Sequence, residues 1–175
     1  MSQNIKDSIK GSANQKLNYD PALKVERPYP GDAEGSYVLD AYPDVHQMVL
    51  LKSPNAGELH GKILFGKKAA GPPGHVHGGC QAAVLDEMMG SCGWHNGMGV
   101  LAGKIEVEFL HLVPCGVEID LKARVLQKEN RKVTIAAELW HGEKLLAQSK
   151  GLFIILKEDK LEFLDKIKKQ DTSTK

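Results

Sequence analysis

The chain has 175 residues, enough for one domain that buries roughly 70% of its unfolded surface. Its 23 basic and 22 acidic residues nearly cancel, so no strong field draws it to nucleic acid or to a membrane surface. A hydrophobic content of 42% excludes a disordered protein, and an odd count of three cysteines excludes a disulfide-stapled scaffold.

In chain order, residues 1–15 are polar and are expected to be mobile or weakly helical. Pro28, Pro30, Gly31 and Gly35 mark a loop before a first strand signal near Ser36 to Tyr42. His46 to Lys52 and Glu58 to Phe65 read as two further strands, parted by the turn cluster from Ser53 to Gly57. An irregular Gly- and Pro-rich stretch then delivers the chain to His77 and a helix running through Cys92. Beyond it the period changes to two. Ile105, Val107 and Phe109 alternate with Lys104, Glu106 and Glu108, and the pattern repeats over Val117 to Val125 and over Val133 to Leu139. Lys144 to Leu156 is the last strand, and short hairpin connections predict that the four run as an antiparallel meander. Glu158 to Lys169 closes with an amphipathic helix carrying Leu161, Leu164 and Ile167, before a polar tail from Gln170 to Lys175.

The helix is where the chemistry gathers. From Cys80 to Cys92 nearly every residue is apolar or small on all sides, which places it in a core. Asp86 and Glu87 sit in its middle with no Lys or Arg at helical spacing. A carboxylate taken out of water without a partner is costly, so it shifts its pKa or is kept for chemistry. Gly78 and Gly79 at the helix entrance leave backbone N–H groups open toward an anion or a polarised carbonyl. A carboxylate plus free amides suits acyl chemistry. Gly79, Ala82, Ala83, Gly90 and Gly93 share the Asp86 face, where small side chains allow close approach of the sheet or leave room for a ligand. Glu87, one position further round, is expected off that face, toward a partner subunit or solvent.

His77-Gly78-Gly79, with Asp86 nine residues after the His, then Leu85-Asp86-Glu87 and Gly90, resembles the helix motif of hotdog-fold thioesterases. The similarity is to the branch that contains phenylacetic-acid-pathway and acyl-CoA thioesterases. Lys104 to Phe109 through Pro114, and Ser149 to Phe153, resemble that family's following strands, so the likeness spans 71–156, about half the chain. The resemblance implies an α+β hotdog fold, a curved antiparallel sheet wrapped around a long central helix. It divides the chain into an N-terminal segment 1–35, partly flexible, a hotdog domain 36–157, and a C-terminal helix and tail 158–175. It implies thioester hydrolysis on acyl-CoA without a cofactor, in a homodimer or a dimer of dimers.

In the family the acid at the Asp86 position activates water or attacks the thioester. The Gly79 position donates its N–H to the carbonyl, the His77 position holds the turn, and the Gly78 position permits its backbone path. Glu87, Asn96, Arg131 and Lys132 are candidates for substrate contact, the basic pair for coenzyme A phosphates. Many relatives carry Thr or Ser close to the reacting water, where alignment through Phe109 puts Ala102; either Ser91 or Asn96 substitutes, or activity is low.

Other readings compete. A non-catalytic hotdog that senses acyl-CoA fits the missing hydroxyl at Ala102. A hotdog hydratase or dehydratase fits less well, because such enzymes place acid and His in other motifs. His75, His77, Cys80, Cys92 and His95 invite a metal, yet Cys80 and Cys92 lie more than three helical turns apart and cannot meet at one ion. Met88, Met89 and Trp94 read as core or interface packing. With no apolar leader and no run of membrane-spanning length, the expectation is a soluble cytoplasmic protein.

Overall fold

The computed structural model describes residues 16–29, 36–39, 42 and 44–162. Seven strands form one sheet: β1 (Lys24–Val25), β2 (His46–Lys52), β3 (Glu58–Phe65), β4 (Val100–Phe109), β5 (Glu118–Glu129), β6 (Lys132–His141) and β7 (Lys144–Ile155). The single long helix, α1 (Gly78–His95), lies between β3 and β4 in sequence. All strand pairs are antiparallel, in the order β1-β2-β3-β5-β6-β7-β4. A helical turn follows over 158–162, while Leu164, Ile167 and the rest of the expected amphipathic helix lie outside the described residues, as do residues 1–15.

Two expectations are corrected. The alternation near Ser36 to Tyr42 does not make a strand. Residues 37–39 form a turn in which Ser36 Oγ accepts the Leu39 N–H at 3.1 Å, and His46 Nε2 holds the Val38 carbonyl at 2.6 Å. That local hydroxyl bond offers the backbone an alternative to a ladder. Tyr42 makes only an isolated bridge to His46, and the first strand is instead Lys24–Val25. Nor do the last four strands form a simple meander. β5, β6 and β7 do, through two tight turns at Asn130 (φ 51°) and Gly142 (φ 60°). β4 pairs with β7 instead, so its connection to β5 crosses the molecule. That connection is pinned as it goes. Leu110 and His111 N–H groups reach the Leu146 carbonyl, Val76 N–H reaches the Val113 carbonyl, and Gly116 N–H reaches the Phe65 carbonyl. β3 already occupies the free edge of β5, which leaves β4 only the far edge.

The sheet curves around α1 because the helix has no polar face to leave in water. Val84, Leu85, Met88, Met89 and Cys92 are buried against Leu59, Ile63, Ile119, Leu121, Ile135 and Leu139. The approach is tightest near the helix C-terminus. A Cβ on Gly93 would sit 2.5 Å from Val100 Cγ2 and 3.2 Å from Ile135 Cδ1, whereas one on Gly90 meets only Phe153 Cε1 at 3.8 Å.

On the edge strand the register opposes Ala102 to Phe153, Ile105 to Gly151, Val107 to Ser149 and Phe109 to Ala147, with a bulge between Ala102 and Lys104. These side chains turn toward the helix side of the sheet, yet Ile105 stays 36% exposed and Phe109, beside Gly78, 53%, and on the loop after the strand Leu112 is 63% exposed. An uncovered apolar edge of this length is a surface that proteins normally pair or shield.

Gly93→Ala should therefore destabilise. Overpacking typically costs about 1–3 kcal/mol, more than the roughly 0.5–1 kcal/mol that Ala gains over Gly in a helix interior. Urea unfolding should show a lower midpoint at unchanged slope for Gly93→Ala, and no loss for Gly90→Ala.

Candidate active site

Asp86 is half-buried on α1, at the rim where β4 starts. Its Oδ1 is shut off from solvent and has no hydrogen-bond partner among the described residues. Burial pushes its carboxyl above the usual range, the direction expected of an acid prepared to take a proton. It opens on a cleft of about 260 Å³ lined by Glu87, Gly90 and Trp94 of α1, Val100, Leu101 and Ala102 of β4, Phe153 of β7, and Tyr29. Gly90 contributes no side chain one turn beyond Asp86, which keeps the floor of the cleft open. Trp94 adds to its wall and fixes its indole by donating to the Val100 carbonyl at 2.9 Å.

Glu87 does not point away, as the helical wheel suggested. It lines the same cleft, with Oε1 accepting from Tyr29 Oη at 2.8 Å and from Ser91 Oγ at 2.9 Å. A side chain of that length swings back when donors wait for it. Tyr29 is the residue that sequence reasoning missed. It lay between two prolines in an unstructured stretch, and nothing local links it to residues 58 positions downstream. Ser91 and Asn96 do not replace the hydroxyl absent at Ala102. Ser91 is fully buried and engaged by Glu87, while Asn96 Nδ2 donates to the Cys92 carbonyl at 2.8 Å and so caps the helix C-terminus. Asn96 is not among the residues that line the cleft.

The helix entrance is arranged differently from the expectation of open amides. His77 is the N-cap, and its Nδ1 accepts the Gly79 N–H at 2.9 Å. This donor is therefore occupied, although the ring that holds it is exposed and can yield. Gly78 fits against the Phe109 ring, where a Cβ would come within 3.3 Å of Cζ. A separate apolar groove of about 350 Å³ runs beside this turn, lined by Pro72, Val76, Gly78, Gln81, Phe109 and Leu112 among others. Gly79 and Asp86 are seven residues apart, about 10 Å along the axis. They cannot act on one carbonyl within a single chain.

Arg131 and Lys132 are exposed at the β5–β6 turn, with Arg131 Nε donating to the Ile155 carbonyl at 3.0 Å. The registers Lys132 to Ile154 and Ile154 to Leu101 put this turn at the same end of the sheet as the cleft. Cys92 faces the Gly57 carbonyl at 3.5 Å, and burial pushes its thiol up to about 12, which makes it inert as a nucleophile at neutral pH. No helix among the described residues is long and apolar enough to cross a membrane.

Residues 73–148, which carry α1 and strands from β4 into β7, match the model of the Thioesterase superfamily. The chain is similar to acyl-coenzyme A thioesterase THEM4 of Xenopus laevis, 30% identical over 106 residues, covering 58% of this chain and 48% of that protein. It is 25% identical over 122 residues to acyl-coenzyme A thioesterase THEM5 of Mus musculus, covering 69% of this chain and 45% of that one. The chain thus spans about half the length of the curated relatives it matches. Among solved structures it resembles the E. coli PaaI protein from the phenylacetic acid degradation operon, with a TM-score of 0.58 at 15% identity over 63% of this chain and 80% of that one. An apolar helix wrapped by an antiparallel sheet, its acid at the cleft and its His-Gly-Gly turn at the entrance, has the hotdog fold, and over residues 73–148 it is similar to the Thioesterase superfamily.

Proposed function

We propose that this chain hydrolyses acyl-CoA thioesters as a homodimer, with Asp86 as the base. The observation that carries the reading is Asp86, which lines a largely apolar cleft while its Oδ1 is buried without a hydrogen-bond partner among the described residues. Asp86 takes a proton from water as the water oxygen adds to the thioester carbonyl carbon. The tetrahedral oxyanion then collapses and expels coenzyme A as thiolate, leaving the free acid. A thiol of pKa about 8.5 leaves without a dedicated acid, so a base and an oxyanion donor suffice. That donor is the Gly79 N–H, released when the substrate carbonyl displaces the His77 ring. Because Gly79 and Asp86 are too far apart on one helix, the donor comes from a second copy, joined along the uncovered β4 edge. Gly78 keeps the backbone path of that turn, and Arg131 and Lys132 meet coenzyme A phosphates at the cleft end of the sheet. Three free cysteines suit a reducing cytoplasm.

Light scattering at micromolar concentration should give the mass of a dimer. An active monomer would remove the second-copy donor and with it this arrangement.

Asp86→Asn should abolish thiol release from acyl-CoA while the dimer persists. The sign for stability follows from the raised pKa: the charged form is disfavoured in the folded state, so the penalty is present at neutral pH and vanishes below the unfolded pKa. Asp86→Asn should therefore melt no lower than wild type at pH 7. In wild type, activity should fall on the acid side through a pKa above that of an ordinary aspartate. Loss of fold in Asp86→Asn, or equal loss of turnover in Glu87→Gln, would make the acid structural.

A sensor that binds acyl-CoA without cleaving it is the second reading, favoured by Ala102 standing in the cleft without a hydroxyl. One positioned hydrogen bond to a reacting group is typically worth about 10²-fold in rate. Modest turnover should thus rise toward that factor in Ala102→Thr with little change in affinity. Tight binding, no thiol release and an inert Ala102→Thr would establish the sensor.

A further inference from the structure

Two residues that line the Asp86 cleft, Tyr29 and Phe153, lie outside the matched region 73–148. Tyr29 arrives from the segment before β2 and is held on three sides. Its hydroxyl donates to Glu87 at 2.8 Å, the Arg27 guanidinium lies 4.4 Å above its ring centroid, and the Trp94 ring is 6.3 Å away at 52°. Burial and the Glu87 charge push the phenol up to about 12, so it remains a donor at neutral pH. Both donors to Glu87 Oε1, Tyr29 and Ser91, tie that carboxylate down. What is left is a largely apolar slot with Asp86 at its rim, the Oδ1 of that acid buried without a partner among the described residues.

The slot has a direction. Asp86, Gly90 and Trp94 fall at successive intervals of four and so lie along one stripe of α1. A thioester carbonyl presented to Asp86 sends its acyl chain over the bare backbone of Gly90, between the helix and Phe153, until it meets the Tyr29–Trp94 pair. Trp94 is part of the helix and is bonded to Val100. Among the described residues, Tyr29 is the one that the N-terminal segment supplies to this end.

We propose that Tyr29 is the specificity-determining residue for acyl length: its ring is the stop against which the acyl chain of the substrate ends. The proposal rests on the thioester reading above, and its test separates the two. Non-hydrolysable S-alkyl-CoA thioethers of increasing chain length are titrated calorimetrically into wild type, Tyr29→Phe and Tyr29→Ala. Thiol release from the matching acyl-CoA thioesters is measured alongside. Each buried methylene adds about fourfold in affinity until the chain meets the ring. In Tyr29→Ala the rise should continue for at least about two further methylenes, a gain of roughly tenfold or more for the longer ligands. Tyr29→Phe, which keeps the ring and loses only the bond to Glu87, should keep the wild-type ceiling. An unchanged ceiling in Tyr29→Ala overturns the proposal, as does an equal shift in Tyr29→Phe or absence of binding at every length. Failure of thiol release with a shifted ceiling instead leaves the stop in place and refutes only hydrolysis.

Discussion

The structure depends on burying one helix that has no polar side. α1 is apolar or small nearly all round, and among the described residues the curved sheet covers much of it. A curved antiparallel sheet wraps one side of a helix and leaves the other partly open. Glycines on the contact face, Gly93 above all, let the sheet come close, and the approach is limited by Val100 where β4 begins. The acid sits at that rim, half in the core and half in the cleft. Its surroundings are therefore set by the packing of the helix rather than by a partner chosen for it.

Two adjacent carboxylates receive opposite treatment there. Glu87 is given two hydroxyl donors, from Tyr29 and Ser91, while Asp86 Oδ1 has none. Environments that separate neighbouring acids are how one site assigns different roles to the same functional group. The helix dipole does not disturb the arrangement. Its field fades within the first turn, and Asp86 lies well beyond it, so burial alone moves its pKa. The amide that would oppose the acid electrostatically is kept about two turns away at the helix entrance. On the proposed reading, this spacing requires the oxyanion donor to come from a second chain.

The exposed edge follows from the topology. Because β3 occupies the edge of β5, β4 is displaced to the far side of the sheet beside β7. α1 meets it at Val100, through Gly93 and Trp94, and at Phe109, through Gly78, yet Ile105 and Phe109 stay 36% and 53% exposed. The connection back to β5 passes the His77–Gly79 turn, where Val76 meets Val113. The same crossover that bares the edge thus also braces the donor end of the helix.

Local pattern alone carried a good part of this. Strands at 46–52 and 58–65, the α1 helix, the two-residue hairpins and the core role of Met88 and Met89 follow from periodicity and turn chemistry, which act over a few residues. The His77–Asp86 spacing and an acid without a cation in reach were likewise readable in the chain. Three things were not. Strand order depends on which edge is still free when β4 arrives, and that is a property of the whole sheet. The turn at Ser36–Leu39 wins over a strand through a side-chain bond that alternation does not register. The surroundings of Glu87 depend on Tyr29, 58 residues away, and on Ser91, so a helical wheel places the side chain wrongly. Sequence by itself determined the helix, the glycine turn before it and the two acids it holds. Tertiary structure decided which of them meet, because contacts between distant segments are fixed by packing and not by local preference.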